Sequence, residues 1–207
     1  MTWAPVLPPG IEYKKQNLKD LAKTANFIYQ IGESQSLRLP SPELTLENIT
    51  SSDYASKFAY LKKCMRNYRD RTGKGKGIAA VQVGIPERFF VLYTPKTKEK
   101  LTLFINPKIT NISNDKYSFP EACMSCNSLI AHVIRPAWIE FTYLTEKGIP
   151  GIWSKKDTTQ EGRMYNRVVQ HELDHLDGII NIDKVPSREL IFESNKEFYE
   201  KATFKKV

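Results

Sequence analysis

At 207 residues, with 41% hydrophobic and 26% charged side chains, the chain has the composition of one ordinary globular domain with a core of its own. No apolar run is long enough to span a membrane, and the N-terminus lacks the apolar core of a secretory signal. Three cysteines (Cys64, Cys123 and Cys126) are too few for a disulfide framework, and 31 basic against 23 acidic residues leave a net charge of +8 and a pI near 9.3.

A reducing compartment follows from the cysteines. The charge favours an anionic partner such as RNA, a ribosome or a membrane surface, or reflects a lysine-rich proteome. Neither membrane insertion nor specific DNA binding is expected.

Along the chain, Pro5, Pro8, Pro9 and Gly10 mark an irregular arm. Leu18, Leu21, Ala22, Ala25 and Ile28 then fall at helical spacing over 14–31. The alternative of an organelle transit peptide is opposed by Glu12, Asp20 and the lack of arginine before Arg38. Residues 32–50 read as a loop. Ser51, Ser52 and Asp53 offer N-caps to a helix whose stripe is Tyr54, Phe58, Leu61, Met65 and Tyr68, and Gly73 ends it. Gly75-Lys76-Gly77-Ile78-Ala79-Ala80-Val81-Gln82 lacks the endings of a phosphate loop or a dinucleotide site, but its small residues let another backbone approach.

Short β-rich runs follow at 88–93, 101–105, 108–112, 129–134 and 138–144, with 151–153 as a further candidate. A charged hairpin loop is expected over 96–100, and 121–125 interrupts the pattern. A helix over 163–176 closes at Gly178. A short extended piece over 179–182 precedes a last helix from Ser187 to about Phe204 and the basic Lys205 and Lys206. Helices flanking antiparallel strands predict an α+β fold, with sheets around a central helix. The expected divisions are an extension at 1–31, a catalytic domain at 32–186, and a C-terminal helix with basic tail at 187–207.

The central stretch is Gln170-His171-Glu172-Leu173-Asp174-His175. On a helix, His171 and His175 lie one turn apart on one face, and two of the chain's three histidines are there. Such a pair can grip a metal ion while Glu172 reaches a water, the chemistry of a metal-dependent hydrolase. A hydrolytic site needs a third protein ligand. Glu189, Glu193 or Glu197 would suit a peptidase; Cys123 or Cys126 would supply a thiolate. The C-x-x-C spacing of these cysteines also suggests a redox pair or a zinc knuckle, although a knuckle needs a second pair. His132, on a strand, reads as a surface residue. A Cys-His-His set is the most economical.

Taken together, the chain resembles the peptide deformylases. Gly75 to Gln82 looks like their G-x-G-x-A-A-x-Q, Glu121-Ala122-Cys123-Met124-Ser125 like their E-G-C-L-S, and Gln170 to His175 matches their Q-H-E-x-D-H, in the family's order. Weaker similarity runs from about Leu37 to Gly178. Ala122 replaces a glycine, Met124 the usual leucine, Val81 a common proline, and Cys126-Asn127-Ser128 a frequent Val-Pro-Gly.

The resemblance implies removal of the N-formyl group from the N-terminal methionine of new polypeptides, with release of formate. It implies metal ligation by Cys123, His171 and His175, acid–base work by Glu172, and oxyanion donation by the Gln82 amide and the Met124 N–H. Gly77 would pair with the substrate backbone, and Ala122 would border the substrate in an ordinary extended conformation. Glu121, Gln170 and Asp174 would orient neighbours. Ferrous iron is the expected metal, with zinc, nickel or cobalt as alternatives. Formyl-methionyl peptides are the expected partners; the C-terminal helix either covers core with solvated lysines or touches ribosomal RNA through Lys196, Lys201, Lys205 and Lys206. The default compartment is a bacterial-type cytoplasm; a mitochondrion or plastid is the alternative. The competing functions are an H-E-x-x-H zinc peptidase and a non-catalytic relative that binds formyl peptides or ribosomes.

Overall fold

The structure is a computed structural model and describes residues 28–95, 100–192 and 203–207. The hairpin loop at 96–99 and most of the helices expected at 14–31 and 187–204 lie outside these residues. The helices described are α1 (Leu46–Thr50), α2 (Ser52–Thr72) and α3 (Gln160–Leu176). The strands are β1 (Gly77–Ala79), β2 (Phe89–Tyr93), β3 (Leu101–Ile112), β4 (Lys116–Cys123), β5 (Cys126–Pro136), β6 (Ile139–Leu144), β7 (Pro150–Ser154), β8 (Ile191–Phe192) and β9 (Lys205–Lys206). One sheet has the order β1-β2-β3-β6-β7 and the other β8-β5-β4-β9, with antiparallel pairing. The fold is α+β, as expected. Among the described residues no helix is long and apolar enough to cross a membrane.

The larger sheet has a helix on each face, which explains why β2 reads Phe-Phe-Val-Leu-Tyr without polar alternation. Phe89 and Val91 pack with Phe58, Leu61 and Met65 of α2, whereas Phe90 and Leu92 pack with Val169, Leu173 and Leu176 of α3. Strand side chains alternate between faces, so a strand covered on both sides must be apolar at every position. Phe58, Leu61 and Met65 of the α2 stripe are buried as its spacing predicts, with Tyr54 and Tyr68 half-buried at its ends, and truncating Phe58 or Leu61 to Ala should cost about 2–5 kcal/mol. The Ser51 hydroxyl caps α2 by accepting from the Tyr54 N–H, and Gly73, at φ +67°, ends it in the left-handed region.

Several expected elements differ. Residues 28–31 are not helical; Tyr29 N–H donates to Gln82 O and Ile31 N–H to Ser125 O, tying this segment into the domain. The expected loop at 32–50 contains a 3₁₀ turn (Gln35–Arg38) and α1. The runs 101–105 and 108–112 form one strand, bent by a bulge where Asn106 takes φ +49°. Asparagine tolerates that angle, and its amide bonds both Leu44 N–H and Leu44 O. Residues 121–123 complete β4 instead of breaking the pattern. Of the expected extended piece at 179–182, Ile180 is extended, whereas Asn181 and Ile182 open a 3₁₀ turn (Asn181–Lys184).

Instead of a helix starting at Ser187, a 3₁₀ turn (Ser187–Glu189) leads into β8, which pairs with β5. Lys205 and Lys206 pair with β4 as β9. Lys196 and Lys201 lie outside the described residues.

Candidate functional site

The motif helix α3 begins at Thr159, whose hydroxyl accepts from the Gly162 N–H. Its apolar positions Val169, Leu173 and Leu176 bury against the larger sheet, and this aims His171 and His175 into the gap between the two sheets. Cys123 is brought to the same place by the end of β4. Its Sγ lies 3.2 Å from Nε2 of His175, and the ligand atoms of Cys123, His171 and His175 all fall within 4.8 Å of one another. Ligand atoms around a tetrahedral centre, at the usual thiolate and imidazole bond lengths, sit roughly 3.5 Å apart. One thiol and two imidazoles at this separation could therefore hold one metal ion. The donor set suits zinc, iron, nickel and cobalt alike.

Two of the three candidate ligands, His171 and Cys123, are held by neighbours, whereas Nδ1 of His175 is buried with no hydrogen-bond partner among the described residues. Glu121 Oε2 lies 3.1 Å from Nδ1 of His171, leaving the other ring nitrogen to face Cys123. Glu121 also takes a fork from Arg135 (2.6 Å from Nε, 2.8 Å from Nη2) and a bond from Nη1 of Arg167 (2.5 Å). Arg135 continues to Asp174 at 2.6 Å, and Lys184 closes the chain of charges at 2.9 Å. Burial opposes ionisation of Glu121, but the Arg135 and His171 partners hold its carboxyl well below the usual range. The Ser125 N–H donates to the Cys123 Sγ at 3.3 Å. Gln170 bonds Pro136 O and Asn166 O, so it ties α3 to β5.

Glu172 is fully buried, and its Oε2 has no partner among the described residues. A buried carboxylate oxygen left unpaired near His171 leaves a place for a water or a substrate group. Burial pushes its pKa up to about 7; a bound cation would act in the opposite direction. Burial lowers His175 well below the ordinary imidazole value, with the His171 charge adding to it. Burial would also lower His171, but Cys123 and Glu121 raise it well above that value.

Gln82 stands in the 3₁₀ turn (Ala80–Val83) after β1. Its Oε1 accepts from Ala79 N–H at 2.9 Å, which fixes the amide so that Nε2 points at Ser125 Oγ (3.1 Å) and Cys123 Sγ (3.8 Å). Met124 is half-buried beside the α2 core cluster. Gly77 lies on β1, at the edge of the larger sheet, with its Cα against Glu172. Ala122 is extended in β4 opposite Ile130, with an exposed methyl on the face opposite that of Glu121 and Cys123.

The eight residues singled out from the sequence are thus distributed over β1, the turn after it, the β4–β5 hairpin and α3. Cys126, the other candidate thiol, is directly opposite Cys123 across that hairpin, and His132 is exposed on β5. Glu189 is exposed in its 3₁₀ turn and joins no metal-ligating group among the described residues. Sequence reasoning missed Ser125, the anchor of the Gln82 amide. It also missed Arg167, and Gln30, whose amide donates to Ile28 O and Met124 O. Ser125 could have been flagged by its place in the cysteine motif. Arg167 and Gln30 carried no signal.

The polypeptide deformylase family model matches residues 28–190. A chloroplastic peptide deformylase 1A from Solanum lycopersicum is 32% identical over 193 residues, covering 86% of this chain and 63% of its own. The peptide deformylase of Prochlorococcus marinus (strain NATL1A) is 33% identical over 164 residues, covering 78% and 74%. Thus the match spans less than two thirds of the tomato protein. The fold is similar to the structure of a Synechococcus elongatus peptide deformylase in complex with actinonin, with a TM-score of 0.63, 27% identity, and coverage of 78% and 79%. The match begins at residue 28, earlier than the motifs alone suggest, and so includes the segment bonded to Gln82 and Ser125. With three motifs in order, the fold they imply and a family match over most of its length, the chain belongs to the peptide deformylase family.

Proposed function

We propose that this protein is a metal-dependent hydrolase that removes the N-formyl group from the N-terminal methionine of new polypeptides, releasing formate and a free amine. The observation that carries this reading is the convergence of Cys123, His171 and His175 on one point, with Glu172 and the Gln82 amide beside it. Among the described residues the neighbouring β1 is an edge strand, open to pairing with an extended peptide.

In this reading Cys123, His171 and His175 hold the metal. When bound, it lowers the pKa of a coordinated water toward neutrality and polarises the formyl carbonyl. The Glu172 carboxylate takes a proton from the attacking water and returns it to the leaving amine. The Gln82 amide, pre-aimed by Ala79 and Ser125, donates to the carbonyl oxygen as it gains charge, together with the Met124 N–H. Gly77 pairs with the substrate backbone. Ferrous iron is the metal proposed for the cell, with zinc, nickel or cobalt able to replace it.

Formyl-methionine starts translation in the bacterial cytoplasm, which is the compartment proposed; an organelle with the same start is the alternative. A ribosome contact would use the basic balance of the chain, although Lys206 of the tail is already paired with Asp115 at 2.8 Å.

The test is formate release from a formyl-methionyl tripeptide by metal-loaded protein, with actinonin as competitor. Stoichiometric formate and a new amine, blocked by actinonin, are expected. Cleavage of internal bonds in unformylated peptides would point to the peptidase, and tight binding without formate to the non-catalytic relative.

A further inference from the structure

Cys126 has no part in the reaction above, yet it stands closer to the metal-ligating set than any such role requires. In the β4–β5 pairing, Cys123 and Cys126 are direct partners across the two-residue turn Met124-Ser125. Directly opposed residues of antiparallel strands point to the same face with Cα atoms about 4.5–5.5 Å apart, inside the range of roughly 4.4–6.8 Å that a disulfide accepts. Both side chains belong to one buried cluster, with 2% and 8% of their surface exposed. Cys64 sits in the other cluster, on the α2 face of the larger sheet.

We propose that Cys123 and Cys126 are a disulfide site, and that the bridge and the metal exclude each other. The co-reactant is a peroxide. One thiol sulfur attacks a peroxide oxygen and becomes a sulfenic acid as one water leaves; the other thiol attacks that sulfur, closing the S–S bond as a second water leaves. Two thiols are oxidised and one hydrogen peroxide is reduced. The bond uses the tight turn that pairs Cys123 with Cys126; the strands shift register just beyond it, where Ala122 faces Ile130. The exclusion rests on Cys123 being a metal ligand, because a bridged sulfur has no thiolate to offer. A neighbouring thiol also protects Cys123, since a sulfenic acid captured as a disulfide is reversible and the higher oxidation states are not.

The test oxidises metal-stripped and metal-loaded full-length protein with hydrogen peroxide and reads intact mass, non-reducing peptide maps and metal uptake. The stripped protein should lose about 2 Da, with Cys123 linked to Cys126, and the loaded protein should keep both thiols. Dithiothreitol should then restore metal uptake. The Cys126→Ser variant should bind metal normally before oxidation, then gain about 32–48 Da on Cys123 and fail to recover with dithiothreitol. A stripped wild-type protein with Cys126 free and oxygen added to Cys123 would overturn the bridge. A bridge that leaves metal uptake intact, or forms equally fast in loaded protein, would overturn the exclusion. Formate release is not read, so the outcome is separate from that of the deformylase assay.

Discussion

The α-carbon of Gly77 rests on the carboxyl of Glu172: a methyl built on Gly77 would lie 2.5 Å from Oε1 and 2.8 Å from Cδ and Cγ. Gly77 has no left-handed backbone angle, so space and not conformation demands glycine there. Gly77→Ala must displace Glu172 or strain β1. Turnover should drop by about 10²-fold or more, the loss expected when an acid–base group is misplaced. Metal content should be unchanged, because none of the three candidate ligands is touched. Metal analysis beside steady-state formate release checks both; full activity would mean that Glu172 has room to spare.

Replacing the carboxyl itself separates ligation from proton transfer. Glu172→Ala should keep the metal and lose roughly 10²–10⁴ in rate. Cys123→Ala and His175→Ala should lose the metal. A Cys123→Ala protein with full metal content would remove the thiolate from the ligand set and revive an acidic third ligand.

Glu121→Gln is isosteric but leaves Arg135, Arg167 and His171 without their shared anion. Breaking a buried ion pair by removing one partner costs about 3–5 kcal/mol. The sign with pH is fixed by the lowered pKa of Glu121. A carboxyl whose folded pKa lies below its unfolded value stabilises fully above the ordinary carboxylate pKa. It loses that contribution as pH falls toward the folded value. The Glu121 contribution to the gap between wild type and variant should therefore narrow as pH falls below about 5, whereas between neutral pH and about 5 the raised pKa of His171, to which Glu121 contributes, adds to the gap. Denaturant melts at several pH values would show it; a gap that widens below about pH 5 would contradict the charge argument.

These relationships were unevenly legible in the sequence. The α2 stripe could be read because Tyr54, Phe58, Leu61 and Met65 recur at the period of a helix. The candidate metal set could be read because two ligands share one helical turn and a motif supplied the third. By contrast, Glu121 meets Arg135 and Arg167 across 14 and 46 residues of sequence, and no local pattern encodes such a meeting. Strand β4 was hidden by Pro120 and by the polar residues around Cys123. Proline is tolerated there because, among the described residues, β9 pairs with Tyr117 and Ser118 and leaves the outer edge of β4 open at position 120. The charged tail looked helical by composition, but its last residues are recruited by the edge of β4.

Ala122, extended and exposed opposite Ile130, carries no backbone strain. Ala122→Gly should therefore lower stability by about 0.5–1 kcal/mol, the entropic cost of glycine in a strand. Calorimetry should record a small fall in melting temperature; a rise would mean that alanine is strained at this position.

The tail can be tested as structure. Phe204 stacks on Phe119 with ring centroids 4.3 Å apart, and the Arg167 guanidinium lies 5.5 Å from the Phe204 ring. Arg167, like Arg135, bonds Glu121, so the tail packs against one arm of the charge network behind His171. Phe204 is only half-buried, so Phe204→Ala should cost about 1–3 kcal/mol from lost area and stacking. For a chain of this size that is a fall of roughly 2–10 °C in melting temperature. Metal content should hold, because His171 keeps its direct bond to Glu121. If residues 203–207 served only as a basic contact for RNA, Phe204→Ala would leave the melting temperature unchanged and replacing Lys205 and Lys206 would weaken a salt-sensitive association instead. The ring stack and the β4 pairing favour the first outcome, since neither is needed by a tail that only carries charge.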